Sequence, residues 1–170
     1  NILINKNKIQ SFNDILEVPG DKSISIRWVL FASLASGISK SSNLLISEDV
    51  KATIKAIKKL GIKVIIKKRQ CTVYGKGLHG YTYKKNIIVN AQNSGTLARL
   101  LPGLLINSNH EIKIIGDSSL SKRDFKRIAE PLKKFGVILN LKNNYTLPLT
   151  IKGSKNPKPI KYFEKRGSAQ

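Results

Sequence analysis

A 75-residue internal repeat constrains this chain more than any other feature. LGIKVIIKK (Leu60 to Lys68) and FGVILNLKN (Phe135 to Asn143) each follow a Lys-rich amphipathic helix, and their glycines, Gly61 and Gly136, stand 75 positions apart. Asp49 and Asp124, at the starts of the two preceding helices, keep the same spacing, so the copies are in register over a helix and the strand after it. The chain is therefore two versions of one α/β supersecondary unit.

The first copy opens at Pro19-Gly20. SISIRWVLFASLASG predicts a helix apolar on most sides, hence buried, with Gly37 as its stop, and SSNLLIS predicts a short strand. Ser47 is a favourable N-cap, with Glu48 and Asp49 in a first turn that suits negative charge. VKATIKAIKKL then sets Val50, Ile54, Ile57 and Leu60 at helical spacing until Gly61. Two strands follow, about Lys63 to Lys68 and Cys71 to Tyr74, joined by a tight turn and trailed by the glycine-rich YGKGLHG loop. In the second copy the strand IIVN (Ile87 to Asn90) leads through NSGT into the helix TLARLLPGLLI, where Pro102 predicts a kink or an early end. EIKIIG is a strand, GDSSLSKR a loop, DFKRIAEPLKKF an amphipathic helix with Pro131 as a second irregularity, and VILNL and LPLTIKG the closing strands. Each copy reads as βαβαββ or a close permutation.

Composition narrows the function classes. The net charge of +21, from 31 basic against 10 acidic residues, prompts a nucleic-acid hypothesis. The lysines, however, are scattered along helices and strand ends without the interleaved aromatics of a stacking platform, and a chain so rich in Ile, Lys and Asn carries the stamp of A/T-rich codons. No nucleic-acid partner is expected; the basic field suits small, multiply charged anions instead. No apolar run approaches the roughly 20 residues of a membrane span, and the N-terminus has no signal-peptide core. The single cysteine, Cys71, lies in an alternating, strand-like stretch with no histidine nearby, which predicts a structural thiol and a reducing, cytoplasmic setting. His79 and His110 are isolated in loops, no donors have metal-ligand spacing, and no Walker or Rossmann glycine pattern occurs. Neither a metal nor an organic cofactor is expected.

Four short segments combine a fixed cation or polar side chain with glycine or hydroxyl groups: DKSISIR (Asp21 to Arg27), NSGTLAR (Asn93 to Arg99), SKRD (Ser121 to Asp124) and GSAQ (Gly167 to Gln170). Ser23 and Arg27 are four apart and share a helix face, with Lys22 just ahead of the first turn, where free N–H groups also favour an anion. An Arg on so apolar a helix needs a partner, because burying an unpaired guanidinium is costly. Asn93, Ser94, Gly95 and Thr96 precede the other helix; they are ordinary caps, or a place where glycine admits a ligand to the backbone. Arg99 pairs either with an acidic neighbour or with a ligand.

VPGDKSISIR, NSGTLAR, GDSSLSKRDFKRIAEPLKKFGV and the terminal SAQ, in that order from about Val18 to the last residue, resemble the enolpyruvyl transferase family, most closely its 5-enolpyruvylshikimate-3-phosphate synthases. The resemblance implies an inside-out α/β barrel in which three βαβαββ units form each of two domains. On that basis residues 19–90 are a first unit, residues 91–170 a second unit with the truncated start of a third, and residues 1–18 an N-terminal arm belonging to the other, missing domain. It also implies transfer of the enolpyruvyl group of phosphoenolpyruvate to the 5-hydroxyl of shikimate 3-phosphate, in chorismate biosynthesis, by a monomeric enzyme without cofactor. This chain would be the N-terminal, substrate-binding part, inactive alone because the family's catalytic Asp and Glu lie further on.

By the same resemblance Lys22, Ser23, Arg27, Ser168, Ala169 and Gln170 hold shikimate 3-phosphate, while Lys22, Asn93, Gly95, Arg123 and Gln170 hold phosphoenolpyruvate. Arg123 would fix the phosphoenolpyruvate carboxylate, a bidentate task suited to guanidinium. Lys22, expected to be ringed by positive charge, is the local candidate for catalytic proton transfer. Glycine at position 95, where tolerant family members have alanine, implies sensitivity to glyphosate. The sister enzyme that acts on UDP-N-acetylglucosamine typically has Lys-Asn in place of Lys22-Ser23 and a reactive Cys or Asp in the loop that here contains Asp117. Two readings of other classes stay open: a basic nucleic-acid-binding module, which predicts salt-sensitive oligonucleotide binding indifferent to Ser23 and Arg27, and a non-catalytic scaffold, which predicts no small-ligand response.

Overall fold

The computed structural model describes residue 13 and residues 15–164. Helix α1 (Lys22–Leu34) and strand β1 (Ser36–Ser41) lead into α2 (Glu48–Lys59) and the hairpin β2 (Lys63–Lys67) and β3 (Gln70–Lys76). Strand β4 (Ile87–Asn90), α3 (Gly95–Leu104), β5 (Ile112–Ile115), a 3-10 turn at Leu120–Lys122, α4 (Lys126–Lys134), β6 (Ile138–Lys142) and β7 (Thr146–Lys152) complete it.

The strands form two sheets of one plan. The first is antiparallel with order β1-β3-β2; the second has order β4-β5-β7-β6, in which β5, β7 and β6 take the places of β1, β3 and β2, and β4 joins the edge parallel to β5. Strand β6 lies 75 residues after β2 at both ends, as the repeat predicts. Beyond it the register slips. The first hairpin turns across Lys68 and Arg69, whereas the second spans residues 143–145 and shifts register between Leu141 and Lys142. Asn144 and Tyr145 both adopt positive φ to make that longer turn.

Local chemistry explains the helix ends. The Ser47 hydroxyl accepts from the Val50 N–H, and at the other end Gly61 takes φ +84°, so that its N–H reaches the Lys58 carbonyl and that of Ile62 reaches Ile57. Gly136, at φ +88°, ends α4 in the same way through Lys133. Only glycine enters this left-handed region without steric cost.

Several expectations change. Helix α1 stops at Leu34, with the Ala35 N–H on the Phe31 carbonyl, and Gly37 lies inside β1 at φ +104° instead of capping the helix. The strand is thus Ser36–Ser41, and SSNLLIS is mostly connector: Asn43 has positive φ, the Leu44 N–H bonds the Arg69 carbonyl and that of Leu45 the Ser25 hydroxyl. Helix α3 ends at Leu104, two residues past Pro102 and short of Ile106, whereas α4 runs three residues past Pro131. No strand precedes α1 among the described residues; Ile15, Leu16 and Val18 are exposed, and the Val18 carbonyl is held by the Asn43 amide. Finally, α1 is buried on one side only. Ile26, Val29 and Leu30 join the core, whereas Ile24 and Phe31 stay 65% and 63% exposed, because no described element covers that face.

The helices pack on one another and on the inner faces of both sheets around a single apolar core that includes Ile26, Leu30, Ile57, Leu97, Leu101, Ile112 and Phe125. Their direction is what positions the site. Lys22 at the start of α1 is 3.3 Å from Asp49 in the first turn of α2, and Lys59 in the last turn of α2 bonds the Ile88 carbonyl at the start of β4. Since β4 runs from there into α3, the starts of α1, α2 and α3 fall at one end. Arg99, in the second turn of α3, reaches the Asp124 carbonyl just ahead of α4 and adds a fourth helix start to that end.

Candidate active site

Helices α1 and α3 begin alike. Asp21 caps α1 by accepting from the Ile24 N–H at 2.7 Å, and Ser94 caps α3 by accepting from Leu97 at 3.3 Å. Each cap leaves the first two N–H groups of its helix, those of Lys22 and Ser23 and those of Gly95 and Thr96, without a hydrogen-bond partner among the described residues. These open donors, at the positive end of the helix dipole, favour an anion.

Around α1 the side chains are not linked to one another. Ser23 and Arg27 are half-buried, and neither has a hydrogen-bond or ion-pair partner among the described residues. Where positive charge was expected around Lys22, its ammonium faces the Asp49 carboxylate among the described residues. Asp49 was visible in the sequence as a first-turn acid of α2, but its position beside Lys22 depends on helix packing.

Around α3 the side chains are tied together. The Asn93 amide donates to Asp117 at 2.7 Å and accepts from the Arg123 guanidinium at 3.1 Å. Asp117 also accepts from the Leu120 N–H at 2.8 Å, which closes the turn before Arg123. The Leu120 N–H above all, then the Asn93 amide, hold the Asp117 carboxyl below its usual range, so it is a carboxylate at neutral pH.

Arg99 lies over the Phe125 ring at 5.1 Å, and its buried Nε has no partner. Burial, and then the like charge of Arg123, hold its guanidinium below the ordinary value, with Asp124 opposing them. A Cβ placed on Gly95 would stand 2.8 Å from Arg99 Nη1 and 3.0 Å from Arg123 Nη1. Two guanidinium groups thus converge over the α-carbon of Gly95, beside an open helix start. Like charges this close repel, and a shared anion relieves the repulsion. Of the candidate residues the structure brings Asn93, Gly95 and Arg123 into this cluster and adds Arg99. Lys22, Ser23 and Arg27 form a separate group at the same end of the molecule. Ser168, Ala169 and Gln170 lie outside the described residues.

A cleft of about 530 Å³ opens at the opposite end of α3, beside Leu104 and Leu105. It is lined in part by His79, Tyr83 and His110, so the two histidines that are isolated in the sequence meet in one hollow. Among the described residues, none of DKSISIR, NSGTLAR and SKRD lines it. Cys71 is buried in β3, and burial raises its thiol pKa, which fits the structural role expected of it.

The family model of EPSP synthase (3-phosphoshikimate 1-carboxyvinyltransferase) matches residues 6–170, and the chain belongs to this family. It is 40% identical over 170 residues to 3-phosphoshikimate 1-carboxyvinyltransferases of Streptococcus agalactiae serotypes Ia and V, matching 99% of this chain and 39% of each relative. Two structures of EPSP synthase from Acinetobacter baumannii superimpose with TM-scores of 0.85 and 0.86 at 35% and 36% identity, over 91% of this chain and 35% and 36% of theirs. The fold is accordingly that of part of the inside-out α/β barrel that the family resemblance implied. The chain spans about two fifths of the length of the curated relatives it matches.

Proposed function

We propose that this chain is the substrate-binding part of an enzyme that moves the enolpyruvyl group from phosphoenolpyruvate to the 5-hydroxyl of shikimate 3-phosphate and releases inorganic phosphate. The convergence of Arg99 and Arg123 over Gly95 carries the reading, because it supplies a dianion site with an open backbone approach. Phosphoenolpyruvate would lie there, its carboxylate on Arg123, with the Asn93 amide and the N–H groups at Gly95 alongside. Ser23, Arg27 and the first N–H groups of α1 would hold the phosphate of shikimate 3-phosphate, joined by Ser168, Ala169 and Gln170. Lys22 would stand between the substrates.

The chemistry asks two things of the protein. Two anionic substrates must be held together against their repulsion, and protons must reach the phosphoenolpyruvate methylene carbon and leave the 5-hydroxyl. The cations on this chain meet the first need. For the second, Lys22 is the candidate here, and the acids expected from the family lie beyond this sequence. The division into units at residues 19–90 and 91–170, the arm at 1–18, glyphosate sensitivity and a cytoplasmic setting belong to the same reading, although β4 (Ile87–Asn90), placed in the first unit, pairs in the second sheet.

The test is release of inorganic phosphate by the complete gene product. Release that requires both phosphoenolpyruvate and shikimate 3-phosphate is the expected result. Release that requires UDP-N-acetylglucosamine instead would transfer the chain to the sister reaction.

A further inference from the structure

The parallel pairing of β4 with β5 places two loops side by side. The ladder runs from Ile87↔Ile112 to Asn90↔Ile115 and is prolonged by the Ala91 N–H on the Ile115 carbonyl and the Asp117 N–H on the Gln92 carbonyl, both at 2.8 Å. Asn93 and Asp117 therefore leave the sheet as neighbours, although 24 residues separate them. Each oxygen of Asp117 has one short bond, to the Leu120 N–H and to the Asn93 amide. The Asn93 carbonyl oxygen accepts from Arg123.

This chain of bonds has one sense only. Turning the Asn93 amide over would set its oxygen against a carboxylate and its NH2 against a guanidinium, two repulsive contacts in place of two attractive ones. Asp117 thereby fixes the orientation of Asn93, and Asn93 fixes Arg123 beside Gly95. The acid acts at one remove. A carboxylate paired directly with Arg123 would occupy its donors and neutralise it; with the amide interposed, the guanidinium is held while most of its donors and its charge remain available to an anion.

We propose that Asp117 is a positioning residue that, through Asn93, aims Arg123 at the carboxylate of phosphoenolpyruvate. This rests on the proposed function, in which Arg123 binds that group.

The experiment is a double-mutant cycle in the complete gene product, with KM for phosphoenolpyruvate, kcat and melting temperature measured for Asp117→Asn, Asn93→Ala, the double variant and Arg123→Ala. Asp117→Asn retains the acceptor for Leu120, so the turn folds. It is expected to raise KM roughly tenfold, the cost of about one mis-set hydrogen bond, with kcat within about twofold. The double variant should be no worse than Asn93→Ala alone. An unchanged KM in Asp117→Asn, or an effect that adds in full to that of Asn93→Ala, overturns the proposal. An Arg123→Ala enzyme with unchanged KM would overturn the underlying site assignment instead.

Discussion

The two helix starts that carry the proposed anion grips differ in how their side chains are held. At α1, Ser23 and Arg27 have no partner among the described residues and Lys22 shares charge with Asp49 across 3.3 Å. At α3, Arg123 is the end of a hydrogen-bonded series through Asn93 to Asp117, and Arg99 is stacked on Phe125. One grip has few bonds within the described residues; the other is linked by side-chain hydrogen bonds. The difference matches the ligands proposed for them, because a sugar phosphate brings ring hydroxyls that help to orient it, whereas a three-carbon dianion depends almost wholly on fixed cations.

The repeat itself offers the strongest way to sharpen the comparison. Gly61 and Gly136 have nearly equal φ, yet a Cβ on Gly61 would collide with the Thr82 backbone and hydroxyl, while one on Gly136 would meet Ser154 Oγ at 3.3 Å. Gly136→Ala should cost about 1 kcal/mol, the strain of a left-handed alanine. Gly61→Ala should cost about 3 kcal/mol, because a steric clash with backbone is added. Urea denaturation of the two variants measures the gap.

Gly95→Ala probes the linked grip. Gly95 does not have positive φ, so alanine should leave the melting temperature nearly unchanged, but its methyl group would push on both guanidinium groups. Binding of phosphoenolpyruvate should weaken about tenfold, as one charge-assisted bond is lengthened. Steady-state kinetics reads this directly.

Asp49→Asn probes the sparsely bonded grip and should have the smallest effect. The side chains of Lys22 and Asp49 are 53% and 22% exposed, and a pair with one end in solvent contributes about 1 kcal/mol or less. Stability by thermal melting should barely move, while release of Lys22 should tighten shikimate 3-phosphate slightly in a calorimetric titration.

Much of this architecture could be read from the residues. The 75-residue spacing from Gly61 to Gly136, the Ser47 cap and the apolar spacing of α2 all rest on local chemistry, and the fold follows them. Strand β1 could not be read, since Ser36-Gly37-Ile38-Ser39-Lys40-Ser41 has little strand character and is fixed by pairing with β3 along its whole length. The exposed face of α1 was missed for a related reason: apolar periodicity reports which faces are able to bury, not which neighbours are present. At the site, the cationic motifs were legible one by one. The link from Asp117 to Arg123 was not, because it arises only where two parallel strands end together.

The most direct test of the account uses the single tryptophan, Trp28, which follows Arg27 in α1. With any tryptophan outside this sequence replaced by phenylalanine, its fluorescence in the complete gene product reports titrations of shikimate 3-phosphate and of phosphoenolpyruvate, repeated in Arg27→Ala and Arg123→Ala. The account predicts that Arg27→Ala weakens shikimate 3-phosphate about 100-fold, and that Arg123→Ala weakens phosphoenolpyruvate by a similar factor while leaving shikimate 3-phosphate nearly unaffected. Unchanged affinity for both ligands in both variants would contradict it.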